Sequence, residues 1–138
     1  MSKVHVVNVY TTDRSGMDNY YYIGKSKTNN PLANPFSYDP NHKSKKKMTF
    51  KTRGECIEAY RKYFKVFYNR TGQEELTRKF NEIYSHYVNG EDIYLADIED
   101  PVNSHGIVLA EELQKKLIRE QIARKRLEAE LSKERVVF

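Results

Sequence analysis

Two aromatic stripes at helical spacing, set back to back and each opened by a capping signal, constrain the fold of this chain most. In the first, Thr52-Arg53-Gly54-Glu55 has the Ser/Thr-x-x-Glu form, in which a hydroxyl and a carboxylate satisfy free N–H groups at a helix start. Behind it Ile57, Tyr60, Tyr63, Phe64, Phe67 and Tyr68 recur at one-turn spacing, and Gly72 closes the helix. Thr71-Gly72-Gln73-Glu74 repeats the capping form. Leu76, Phe80, Ile83, Tyr84 and Tyr87 make the second stripe, and Asn89-Gly90 stops it as a C-cap does. Asn69-Arg70-Thr71 has the form of a glycosylation acceptor, but its place between the stripes reads as an interhelical turn. Each helix has one apolar face, and that face needs a cover.

Short β-rich runs supply it. Val4-His5-Val6-Val7-Asn8-Val9-Tyr10 and Tyr20-Tyr21-Tyr22-Ile23-Gly24-Lys25 read as strands, and Asp92-Ile93-Tyr94-Leu95-Ala96 as a third. The link between the first two carries Asp13, Ser15, Gly16 and Asn19, turn residues that predict an antiparallel pair. Residues 26–51 hold three of the four Pro and a lysine cluster, and read as one long irregular loop. A helix over 107–135 follows the third strand. The order is β-β-(long loop)-α-α-β-α, with no internal repeat. It predicts an α/β (α+β) domain: a three-stranded or slightly larger sheet packed by two amphipathic helices, plus a long C-terminal helix.

With 138 residues the chain suits one domain with a small core. Charged residues make up 31%, Trp is absent, and eleven Tyr with six Phe carry much of the burial. The net charge of +5 suits a polyanion partner, and equally an ordinary basic protein. Lone Cys56 excludes an internal disulfide and a multi-Cys zinc site. With no apolar leader and no run of membrane-spanning length, the expectation is a cytoplasmic protein without a membrane partner.

The last helix is longer than the domain needs, which divides the chain into a compact unit over 1–112 and an extension over 113–138. Leu113, Leu117, Glu120, Arg124, Leu127 and Leu131 step by 4, 3, 4, 3, 4, a heptad seam with a polar step in its middle. Ile118 and Ile122 lie on another side. The expectation is a homo-oligomer through Leu113, Leu117, Leu127 and Leu131.

The chemistry concentrates in Asp97-Ile98-Glu99-Asp100-Pro101-Val102-Asn103-Ser104-His105-Gly106, between a strand end and a helix N-terminus, where α/β proteins tend to place ligands. Free N–H groups near Ser104, His105 and Gly106 would receive a phosphate or carboxylate, unless Ser104 or Asn103 is simply the N-cap. Asp97 and Glu99 alternate, so both can face one pocket. There they would bind Mg²⁺, contact ribose hydroxyls or act as nucleophile or base, or else stand solvated. Asn34-Pro35-Phe36 fixes an extended turn whose amide can read a base edge and whose ring can stack, or which plugs the core. Gly24-Lys25 offers close backbone approach and a cation. Asn8 on an inner strand needs its hydrogen bonds satisfied. A separate basic cluster, Lys43, Lys45, Lys46 and Lys47 with His42, Lys51 and Arg53, is the alternative nucleic-acid site.

In order along the chain, Val6-Val7-Asn8, Tyr22-Ile23-Gly24-Lys25, Leu32-Ala33-Asn34-Pro35-Phe36, Tyr60 and Pro101…His105-Gly106-Ile107-Val108-Leu109 form a set more specific than any one piece. By this set, over roughly residues 4–113, the chain resembles a family of small bacteriophage and bacterial domains catalogued as a domain of unknown function. That family's pattern ends in Cys-Trp-Cys…Pro…Cys-His-Gly before an aliphatic helix. Aligned back from His105-Gly106, its cysteines fall on Asp97, Glu99 and Ser104, so a thiol-based role cannot carry over. The resemblance implies the fold, the site's location and a phage origin, which would put the protein in the host cytoplasm.

The expectation is a phage-type accessory or host-interference protein that binds a nucleotide or nucleotide-derived small molecule. Its ligand-binding residues would be Asn8, Lys25, Asn34, Phe36, Ser104, His105 and Gly106. An enzyme acting on a nucleoside or ADP-ribose-like glycosidic bond, with Asp97, Glu99 and His105 as catalytic groups, is one alternative. A protein- or nucleic-acid-binding effector is the other. The sequence points to no particular cofactor or metal.

Overall fold

The computed structural model describes residues 3–25, 30–38 and 49–136. Among the described residues five strands, β1 (Val4–Asn8), β2 (Tyr20–Tyr22), β3 (Ser37–Tyr38), β4 (Thr49–Phe50) and β5 (Ile93–Asp97), accompany three helices, α1 (Arg53–Phe67), α2 (Glu74–Val88) and α3 (Gly106–Val136). A short 3-10 helix, Pro101–Asn103, joins β5 to α3. The sheet order is β1-β5-β2, with both pairings parallel. β3 and β4 form a separate small parallel pair within the segment read as irregular.

The expected antiparallel pairing of β1 with β2 is therefore wrong. β5 lies between them, with Val6 and Tyr21 both in register with Leu95. Burial explains the order. Four of the five β5 residues are buried, whereas every residue of β1 and β2 is only half-buried. The strand with the most apolar surface to hide takes the centre, as strands of parallel sheets do. The turn residues of 9–19 belong to a crossover that restores the chain direction.

Side chains alternate across the sheet. Val4, Tyr21, Ile23, Ile93 and Leu95 join the core with Tyr60, Phe64, Leu76, Phe80, Ile83, Val108, Leu109 and Leu113. The other parity makes a half-buried aromatic row: His5 stacks on Tyr94 at 4.9 Å, and the Arg14 guanidinium lies 4.3 Å from the centre of the Tyr20 ring.

The first capping signal works as read. Thr52 Oγ1 accepts the Glu55 N–H at 3.1 Å and donates to the Glu55 carboxylate. The second does not. α2 starts at Glu74, after Gln73, whose side chain caps nothing, and Gly72 instead donates its N–H to Glu74. α1 ends at Phe67, and Asn69 takes a left-handed conformation before Gly72 does the same. Gly90, also left-handed, follows the α2 C-cap Asn89 as the sequence indicates.

α3 has 31 residues, about 46 Å at 1.5 Å per residue. Leu113 is fully buried and Leu117 packs against the core, so the domain itself uses half of the supposed partner seam. Arg61 of α1 forks onto Glu111, and Tyr84 of α2 donates to Glu120 at 2.6 Å. From 121 to 133 every residue is exposed, with Leu127 at 59% and Leu131 at 45%. No helix among the described residues is long and apolar enough to cross a membrane.

Candidate functional site

The carboxyl ends of β2 and β5, the loop at 34–36 and the first turn of α1 converge on a cavity of about 160 Å³. Lys25, Asn34, Phe36, Asp97, Glu99 and His105 line it, together with Gly24, Arg53, Cys56, Ile98 and Asn103. Crevices at the carboxyl ends of parallel strands are the usual ligand positions in open α/β sheets. A wider hollow of about 430 Å³ lies between the same loop and the start of α2. Lys25 and Asn34 line both, so the two adjoin.

Asp97, at the end of β5, is 3% exposed. Its carboxylate accepts the Ile98 N–H at 2.7 Å and the Ser104 hydroxyl at 2.7 Å, and lies 3.3 Å from His105 Nδ1. Burial by itself pushes the Asp97 carboxyl up. The hydrogen bonds from His105 and Ser104, the His105 charge and the Ile98 amide outweigh it and hold the group below the usual carboxylate range. His105 Nε2 faces the Leu32 carbonyl at 3.0 Å, and Tyr60 donates to the same oxygen at 2.9 Å. Both ring nitrogens of His105 are thus engaged within the protein. In this arrangement neither Asp97 nor His105 offers a free atom for proton transfer.

Ser104 and Gly106 do not line the cavity. Ser104 is fully buried; while donating to Asp97 it accepts the Gly106 N–H at 3.0 Å. The N–H expected to receive an anion is consumed by this cap. A Cβ on Gly106 would meet Ile23 Cδ1 and Val6 Cγ1, each at 3.0 Å, so close packing of α3 on the sheet accounts for this glycine. Asn8 also serves the framework. It donates to the Ile98 and Glu99 carbonyls at 3.2 and 3.3 Å and accepts the Tyr10 N–H, which fixes the backbone leaving β5.

Glu99 differs from Asp97. It is half-buried and pairs with Arg53 Nη1 at 2.9 Å, across the cavity wall at the start of α1. Asn34 accepts the Phe36 N–H at 3.0 Å, an Asx-type turn, and its amide reaches the Cys56 carbonyl at 3.5 Å. Phe36 packs edge-on against Phe50 and Tyr63, so its ring is part plug and part cavity wall. Burial pushes the Cys56 thiol up, with Arg53 and Lys25 pulling the other way, so the group is a thiol and not an activated thiolate.

The sequence placed Arg53 in the capping box and the basic cluster, and Asn103 as an N-cap candidate, rather than at this cavity, and Asn30 was passed over. Asn30 donates to the Tyr22 and Gly24 carbonyls and accepts the Leu32 N–H, which ties the loop to the end of β2. A second Asn two residues before Leu32 was its only signal. Lys43, Lys45, Lys46 and Lys47 lie outside the described residues, as does His42. Asp97 and Ser104 bond each other, and Glu99 bonds Arg53. Among the described residues no three His, Cys, Asp or Glu side chains are placed to hold a metal ion.

Fold and site together define a small parallel α/β domain with a charged cavity at the carboxyl edge of its sheet. Comparison of the chain with protein-family models, curated proteins and solved structures finds no match in any of the three.

Proposed function

We propose that this protein binds a nucleotide or nucleotide-derived small molecule in the paired hollows around Asn34. The observation that carries this reading is the convergence of Lys25, Asn34, Phe36, Glu99 and Arg53 on one cavity that opens beside a second. At about 160 Å³ the first hollow falls below the 300–1,000 Å³ typical of small-molecule sites; with its 430 Å³ neighbour the range is reached. Lys25 and Arg53 suit an anionic end. Pro31, Pro35 and Tyr63, with the second N–H of the Asn34 amide, suit a sugar and base in the wider hollow. The closed Asp97–His105 pair favours binding over catalysis, and leaves Glu99 as the carboxylate an enzyme would have to use. The resemblance to phage domains adds an accessory or host-interference role, in which the protein sequesters its ligand.

A thermal-shift panel of nucleosides, nucleotides and nucleotide sugars tests this. A ligand present at a hundred times its Kd adds about 2.7 kcal/mol to the native state, which reads as a rise in Tm of several degrees. A panel without any response overturns the proposal. Self-association is proposed through the part of the α3 seam that the domain leaves exposed. Sedimentation of Leu127→Lys/Leu131→Lys is expected to give a smaller species than the native chain, and an unchanged mass refutes the assembly.

A further inference from the structure

The Arg53–Glu99 pair stands where a ligand's anionic end would bind. Arg53 is the first residue of α1, whose N-terminal turn carries the positive end of the helix dipole. Arg53 and Lys25 line the same cavity, and the Glu99 carboxylate pairs with the Arg53 guanidinium at 2.9 Å. The other helix start at the cavity is closed, because Ser104 takes the Gly106 N–H. Recognition of an anion therefore falls to the α1 side, and there the protein's own carboxylate is already in place.

Glu99 is held in a way that permits exchange. Asn8 fixes its backbone by donating to the carbonyls of Ile98 and Glu99. The side chain is about one-third exposed, as is that of Arg53 at 39%. A half-exposed pair of this kind is worth only about 1 kcal/mol or less, so a rotation of the Glu99 side chain, with no backbone movement, breaks its contact with Arg53 at small cost. Asp97 cannot do the same, since three donors hold its carboxylate in a buried place.

From this we infer that Glu99 is an internal stand-in for the phosphate or carboxylate end of the ligand, a specificity-setting residue that an incoming anion displaces from Arg53. The inference rests on the binding reading above. It carries a sign that an ordinary wall residue would not. An apparent affinity is lowered by the fraction of molecules whose site is closed. Removing the Glu99 charge removes a carboxylate that competes for Arg53 and a like charge beside the ligand, so binding of an anion strengthens.

The test is titration of inorganic phosphate and pyrophosphate into the full chain and into Glu99→Gln, each first shown to be folded by its melting transition. Glu99→Gln is expected to bind either anion about five- to tenfold more tightly, and Arg53→Gln added to it is expected to abolish the gain. Equal or weaker anion binding by folded Glu99→Gln overturns the inference, and weaker binding of nucleosides alone would instead make Glu99 a contact to ribose hydroxyls. If the nucleotide panel stabilises the native chain while neither protein binds phosphate or pyrophosphate, this inference fails and the binding reading stands. If no panel member stabilises either protein, both fail.

Discussion

Asp97→Ala is expected to cost about 3–5 kcal/mol, a large part of the 5–15 kcal/mol that holds an ordinary domain together. The carboxylate is where three donors meet: the Ile98 amide, the Ser104 hydroxyl and His105 Nδ1. Ser104 and His105 are as buried as Asp97 itself, at 0% and 4% exposed, so losing the carboxylate strands two buried polar groups. A buried pair broken from one side costs more than the pair contributes, because the remaining partner stays desolvated. Asp97→Asn keeps the volume and one acceptor oxygen, and is expected to cost about 1–3 kcal/mol. Urea unfolding at pH 7 measures both. An alanine variant within 1 kcal/mol of the native chain would show that this cluster does not join β5 to α3.

The same variant has a pH signature. The Asp97 carboxyl titrates below its usual range in the folded chain, whereas an unfolded aspartate titrates at about 3.9. Its contribution is then fully present above the unfolded value and is lost as pH falls through the folded one. The native chain is expected to lose stability as pH drops below about 5, and Asp97→Ala to show a flatter acid limb over the same range. Parallel limbs would place the acid sensitivity on other carboxylates.

The helices could be read from the sequence because their signals are local. Apolar spacing, the Thr52–Glu55 box and Gly90 all act within one or two turns. Strand order is not local. It depends on which strand hides most surface, and β5 wins only because α2 and α3 cover one face of it while β1 and β2 flank it. The site was legible in part for the same reason. Asn34 beside Pro35, Glu99 past a strand end and Lys25 after Gly24 are polar or rigid where a strand or loop must turn, and all line the cavity. What the spacing could not show is which way a polar group faces. Ser104, Gly106 and Asn8 have residue types that suit a ligand, and each spends its hydrogen bonds or its missing side chain on the framework. The Leu32 carbonyl, on which His105 and Tyr60 both close, is a backbone atom and has no residue-type signature at all.

Tyr60 carries the other large effect. Its side chain is fully buried, its ring lies 4.6 Å from His105, and burial pushes its phenol far up, so the hydroxyl stays protonated and donates to Leu32. Tyr60→Ala empties a large space between α1, the loop and α3, and is expected to cost about 3–5 kcal/mol. Tyr60→Phe keeps the ring and leaves His105 on the Leu32 carbonyl, so the expected cost is only about 0.5–1.5 kcal/mol. The two variants separate packing from positioning. Leu32 begins the segment that presents Asn34 and Phe36, and one of the two donors fixing its carbonyl is lost in Tyr60→Phe. The phenylalanine variant is therefore expected to melt close to the native chain, yet to gain less Tm from whichever nucleotide stabilises the native protein. If it gains as much, His105 alone suffices to place the loop. If it unfolds as readily as Tyr60→Ala, the hydroxyl and not the ring volume is what the core requires at this position.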